Sequence, residues 1–550
     1  MRKRVTLATT IMCTLLSMNA WASSPLPTFD KEAVTERPYN RTGQQQVITD
    51  NANKQEDYRP GNTGTEAAPA FYIRQIKLTG EPLPDKTGRL ADILNAYTHR
   101  SVKVSELAML TSQITEYCKS YGYTVPQAVI PQQEIEGGVL EVRVYLAAFD
   151  KVAITANGSE VADRVLADYI TGLESGAIMT DKKLESALNN LNDLPGVIAR
   201  AVLKPGTKPA TTSVDVEVAH RPVWNNYVFI DNGGGYYSGR YRYGVNLELN
   251  NPGHQGDKLT VNGMLSSHDV DNYGVRYEAP VGSRGTRVGV AYSKSSYEMY
   301  PDGIMDTLGE SEGISVYGMT PIYRDKSNRI TAIYGYDRRE ITDELRWNIP
   351  IDVKIPTTEK TANVWHAGIS GSQYNVNQFT QYSMIYWYGD IDTKDVAYTA
   401  YDGAYHKLTA DLLNIWYDGR FNYRISAHGQ LANRSLDGSE QFYLGGMNGV
   451  RAYASSDGYG DVGWLATGEV RYQTDVPGLE LAAFIDTGAA KFKEGGDMEH
   501  LSGWGLGLRY AKDNDWFAQL DYARKLDGRD DLVQPQNRDD RWWFQVYKMF

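Results

Sequence analysis

Few residues of this 550-residue chain are placed to do covalent chemistry. The eight histidines, at 99, 220, 254, 268, 366, 406, 428 and 500, are scattered, and no HExxH or GxSxG run accompanies them. A hydrolase needs a nucleophile or activated water with its base in reach, and the sequence groups no such set. No GxxxxGK[ST] phosphate cradle occurs, and Cys13 and Cys118 are too few for a metal cluster. The chain therefore reads as a non-enzyme with no cofactor or metal. Charge pairing remains. In LAAFIDTGA, residues 481–489, Ala482, Phe484, Asp486 and Gly488 share one face at the two-residue period of a strand. An inward-facing Asp486 needs a cation, and an arginine can meet it with two parallel hydrogen bonds.

Strands that hold such faces fill residues 222–550. Tyr241, Tyr243, Val245, Leu247 and Leu249 alternate with Arg240, Arg242, Gly244, Asn246, Glu248 and Asn250. The same period recurs around Phe421, Tyr423, Ile425 and Leu431, and again around Trp504, Leu506, Leu508 and Tyr510. A soluble β-sandwich shares this pattern. Long segments, polar rows rich in Arg, Asp and Asn, and Tyr and Trp near strand ends favour a transmembrane barrel with lipid outside and water inside. At roughly 20 residues per strand and loop, the region holds about sixteen antiparallel strands. The last strand, RWWFQVYKMF, places Trp542, Phe544, Val546 and Phe550 on one face. Terminal aromatics ending at Phe550 are what such barrels present to the barrel assembly machinery.

Composition bounds the rest. The formal charge of −12 and the lack of a basic cluster argue against a nucleic-acid partner. The 39 Tyr and 52 Gly suggest extended, turn-rich structure, although a mean hydropathy of −0.47 resembles that of a soluble protein. Residues 1–22 have the order of a signal peptide: Arg2, Lys3 and Arg4, an apolar stretch, then Ala20-Trp21-Ala22. Cleavage would leave Cys118 as the only cysteine, so packing and backbone pairing must supply the stability. Residues 23–70 read as a linker with a short helix near its start. Residues 71–148 and 149–221 read as two copies of one small α/β unit. The first carries Leu107, Leu110, Ile114, Tyr117 and Tyr121 on a helix stopped by Gly122, and the second a helix capped by Thr180 with Leu184, Leu188 and Leu191 on one face.

The order of leader, linker, two α/β units and barrel resembles the TpsB transporters of two-partner secretion, in the superfamily of the outer-membrane barrel insertases. YCKSYGY with VIPQQEIEGGVLEVRV looks like a first POTRA unit, and LNNLNDLPGVIARAVLKPG like a second. YLGGMNGVRAY, Tyr443–Tyr453, resembles the family's VRGY motif, carried by a loop near 443–458 that folds into the lumen. FIDTG, Phe484–Gly488, resembles its F-x-D-x-G motif. The resemblance implies a gating set of Gly449, Val450, Arg451, Ala452 and Tyr453 with Phe484, Asp486 and Gly488, in which Arg451 pairs with Asp486. Ala452 departs from the usual glycine, which would be strained if the loop required a positive φ there.

The implied protein is a monomer in the bacterial outer membrane, in contact with its lipid, with POTRA units in the periplasm. It would recognise and secrete a large β-rich partner exoprotein, such as an adhesin, a haemolysin or a contact-dependent toxin, without ATP. The 23–70 segment would supply a plug helix for the resting pore. The alternatives are a barrel-assembly insertase of the same superfamily and, less well supported, an outer-membrane barrel enzyme. A passive porin would leave residues 71–221 without a role.

Overall fold

The structure is a computed structural model that describes residues 48–49 and 70–550, apart from 222–225, 236–238, 269, 300–304, 326, 348–357, 395–400, 456, 513–514 and 527–537. The expected signal peptide and plug helix lie outside the described residues, as does the linker except for Ile48–Thr49 and Ala70. Residues 43–221 and the barrel from 222 onward fall in separate compact units.

In the first unit, FYIRQIKLTG forms two strands where one was expected. Ala70–Ile73 runs antiparallel to Arg100–Lys103, while Gln75–Gly80 runs parallel to Val139–Leu146. The chain steps between sheets at Arg74, whose N–H donates to Gly138 O at 2.7 Å. The short Arg100–Lys103 strand, also unexpected, forms because its Val102 is fully buried beside Ile73. Helix Val104–Ser120 packs Leu110, Ile114 and Cys118 onto this sheet, and Lys103 N–H donates to Glu106 Oε2 at its start. The second α/β copy has the expected order, with Thr180 Oγ1 accepting from Lys183 N at the start of Asp181–Asn192. Its Val197–Pro205 strand gains a parallel neighbour from the linker, Ile48–Thr49.

The barrel is closed by sixteen antiparallel strands, the first Tyr227–Asp231 and the last Asp540–Met549. The apolar rows face outward: Leu247, Leu249, Ile425, Leu431, Leu506 and Leu508 are all exposed, whereas inward polar residues such as Asn246 and Gln430 are buried. A soluble sandwich would bury the apolar row, so this inversion identifies the lipid face. The outward rows also change character with height. On Gln378–Thr393 the sequence runs from Met384 through Tyr386 and Tyr388 to Asp390 and Asp392, and on Asn328–Trp347 from Tyr334 and Tyr336 to Arg338 and Glu340. Trp365 packs against Tyr336 at a tilt, with centroids 4.6 Å apart. Aromatics between an apolar and a charged zone mark the membrane–water interface. Wall height is uneven: the first strand has 5 residues, whereas Met305–Arg324 and Asn328–Trp347 have 20 each.

Candidate functional site

Between barrel strands Phe421–Ala432 and Val462–Gln473 the chain leaves the wall and forms a hairpin, with Phe442 paired to Gly460 and Tyr443 to Tyr459. Phe442, Leu444, Val450, Ala452 and Tyr453 bury themselves against Phe484, Ala490, Leu501 and Ala523 of the wall. The turn closes tightly: Val450 N–H donates to Leu444 O at 2.7 Å, and Asp457 Oδ2 accepts from Ala454 N at 2.8 Å. A Cβ on Gly449 would overlap Leu444 O, and one on Gly488 would lie 2.8 Å from Trp464 O, so both positions hold glycine for close approach. Ala452 is fully buried and has no positive φ, so the departure from glycine carries no backbone strain.

The fold brings Arg451 and Asp486 together. Arg451 Nε donates to Asp486 Oδ2 and Nη2 to Oδ1, both at 2.9 Å, and its backbone N–H donates to Oδ2 at 3.1 Å. Thr467 Oγ1 donates to Oδ1 at 2.9 Å, completing the carboxylate's shell. The guanidinium carbon sits 3.2 Å from the centroid of the buried Phe484, a cation–π contact. Asp486 is fully buried and Arg451 6% exposed, so neither charge has water to fall back on.

Several partners were not visible as such in the sequence. Arg451 Nη1 also donates to Glu469 Oε2 and Asp521 Oδ2, both at 3.1 Å. Arg509 bridges the same two acids, and Arg471 pairs with Glu469. Arg451, Arg471 and Arg509 thus meet Glu469, Asp486 and Asp521 at the hairpin tip. A second ionic cluster holds the hairpin's root. Glu440 pairs with Arg339 and Lys407, and Lys360 Nζ lies 2.9 Å from Asp437 and 3.2 Å from Asp343. Asp461 completes the root by accepting Leu436 N at 2.9 Å and Lys493 N at 2.7 Å. Tyr453 is buried with Lys525 Nζ 4.9 Å from its ring centroid, and Phe550, half exposed, donates its N–H to Asn226 O. Among the described residues no group of three or more His, Cys, Asp or Glu is arranged to hold a metal ion.

A lipid-faced barrel with a salt-bridged hairpin in its lumen, on a chain that carries α/β units ahead of it, defines an outer-membrane transport pore. The family described as haemolysin secretion/activation protein ShlB/FhaC/HecB matches residues 210–510, and the ShlB-type POTRA domain matches residues 71–145. The chain belongs to this family of two-partner secretion transporters, with its barrel in the outer membrane and its POTRA region in the periplasm. It is 24% identical over 526 residues to the heme/hemopexin transporter protein HuxB of Haemophilus influenzae strain 86-028NP, covering 89% of this chain and 91% of that one. It is 21% identical to the outer membrane transporter CdiB of Dickeya dadantii strain 3937, covering 82% of each. In fold it resembles CdiB from Escherichia coli, with a TM-score of 0.72, 19% identity and coverage of 94% of this chain and 97% of that one. BamA from Haemophilus ducreyi lacking POTRA domains 1–3 is a more distant likeness in fold, with a TM-score of 0.53, 13% identity and coverage of 88% and 100%. The protein is accordingly a secretion pore for a partner exoprotein.

Proposed function

We propose that the Arg451 hairpin is the gate of this pore, and that export of the partner requires it to leave its seat on Asp486. The supporting observation is the tip cluster. An arginine bound by three carboxylates, all contributed by the wall, fixes the hairpin in one position, and the cost of separating these buried charges keeps the resting pore obstructed. A chain entering the lumen offers backbone and side-chain groups that can take over those contacts.

The remaining assignments form one pathway. Residues 1–22 direct export and are removed, and 23–70 supply the plug and linker. Residues 71–148 and 149–221 are two POTRA units that receive the unfolded partner, with strand addition to a sheet edge as the mode that tolerates varied side chains. The barrel is inserted by the barrel assembly machinery reading the strand that ends at Phe550, and it works in lipid as a monomer. No catalysis is involved; folding of a β-rich partner outside the cell supplies the bias. The printed names, haemolysin secretion/activation protein for the family and heme/hemopexin transporter for one relative, favour a haemolysin-like or heme- or hemopexin-related cargo.

The deciding experiment is Arg451→Ala, with the partner assayed in the culture medium and the barrel's insertion checked by its heat-modifiable gel mobility. Loss of export with normal insertion is expected. Undiminished export would remove the gating role.

A further inference from the structure

The hairpin tip touches more than the strands that neutralise its arginine. Trp543 lies on the inward row of the last strand, 5% exposed, and its Nε1–H donates to the carbonyl oxygen of Arg451 at 2.6 Å. Its cross-strand neighbour Asp521 holds the guanidinium of the same residue. One residue of the hairpin is therefore gripped by both of the last two strands, by its side chain on one and by its backbone on the other.

The seam where the barrel closes is short. Tyr227–Asp231 pairs with Gln545–Met549 over five residues only. Beyond Asp231 the ladder is continued by one asparagine: Asn232 N–H donates to Phe544 O at 3.3 Å, its Nδ2 donates to Trp542 O at 2.9 Å, and its Oδ1 accepts from Phe544 N at 2.8 Å. Along this thin stretch the hairpin reaches both borders. Ser455 Oγ donates to Gly233 O at 3.3 Å on the first-strand side, and Trp543 holds Arg451 on the last-strand side. A Cβ on Gly233 would come within 3.2 Å of the hairpin's Met447, so the contact there is close.

We infer that the hairpin also braces the barrel's closing seam, and that Trp543 is the positioning residue that couples hairpin position to the last strand. This rests on the reading above that the hairpin moves during export. When the tip leaves Asp486, Trp543 loses its acceptor, and the part of the seam beyond Asp231, held by the Asn232 hydrogen bonds and the Tyr241–Phe544 ring contact, becomes free to separate. Gate opening and local widening of the wall are then one event.

Paired spin labels test this in the full chain, carrying Cys118→Ala and reconstituted in lipid nanodiscs. One pair, at Leu265 and Trp504, spans the seam on the outward face. A control pair at Val290 and Met384 spans intact wall. Two variants are compared with the parent: W543F, which keeps an aromatic ring and loses the donor, and replacement of residues 444–458 by a short Gly/Ser linker, which leaves Trp543 intact. Both are expected to broaden the seam distance distribution toward longer separations with the control unchanged. A seam distribution unchanged in either variant, or a broadening shared by the control pair, overturns the inference. Export by Arg451→Ala separates the two readings: a broadened seam with normal export discards the gate and keeps the brace, and an unchanged seam with lost export does the reverse.

Discussion

Lys360 and Asp437 are 77 residues apart in sequence and 2.9 Å apart in space, both nearly inaccessible to water. The lysine belongs to the wall and the aspartate to the hairpin's root, so the root is fastened to one part of the barrel while the tip is fastened to another. Lys360→Met should leave Asp343 and Asp437 buried without their cation, a loss of about 3–5 kcal/mol for an uncompensated buried charge. The expected result is a lower heat-modification temperature for the folded barrel and larger single-channel conductance in planar bilayers. A variant equal to wild type in both would mean that Glu440 with Arg339 and Lys407 holds the root unaided.

Gly503 and Ala452 make a second test. A Cβ at 503 would fall 2.6 Å from the Cβ of Ala452, so Gly503→Ala should push the hairpin tip off the wall and destabilise it by about 1–3 kcal/mol, as overpacking does. Adding Ala452→Gly should restore part of the thermal stability and of the export, since it removes the nearer contact and leaves the one 3.1 Å from Arg524 O. If the double variant is no better than the single one, the two positions are not in contact.

Removing residues 23–55 tests the plug. The truncated barrel should conduct more in planar bilayers at unchanged insertion. Conductance equal to that of the full chain would place the obstruction in the hairpin alone.

Cys118 reports on the first α/β unit. It is 1% exposed on helix Val104–Ser120, and burial pushes its thiol up to about 11, so at neutral pH it is neither accessible nor ionised. Alkylation by iodoacetamide should be negligible in the folded mature chain and appear along the urea unfolding curve of this unit. Rapid labelling without denaturant would contradict the packing described here.

The barrel was legible because lipid acts on every second residue, and the alternation around Tyr241–Leu249 or Trp504–Tyr510 survives any choice of register. The position of Asp486 on an inward face was legible for the same reason. Its wider company was not. Glu469, Arg509 and Asp521 sit in inward rows that are charged along much of the barrel, and which of them meet is decided by the stagger of strands and the path of the hairpin. Asp437 and Glu440 lie in a segment with no period at all, where spacing says nothing about partners. The split of FYIRQIKLTG at Arg74 was hidden because both halves alternate alike, and only the pairing partners distinguish them.

The unequal strands give the wall a charged band well outside the membrane. Twenty residues at roughly 3.3 Å each run for about 66 Å, far more than a tilted crossing of a hydrocarbon layer about 30 Å thick requires. With the POTRA region in the periplasm, the excess of Met305–Arg324 and Asn328–Trp347, where Glu310, Glu312, Arg338 and Glu340 face outward, rises on the cell's exterior. Elsewhere in the wall, the first strand has only five residues. The carboxylates and guanidinium of the two long strands form a charged outer band above the apolar one on that side of the barrel.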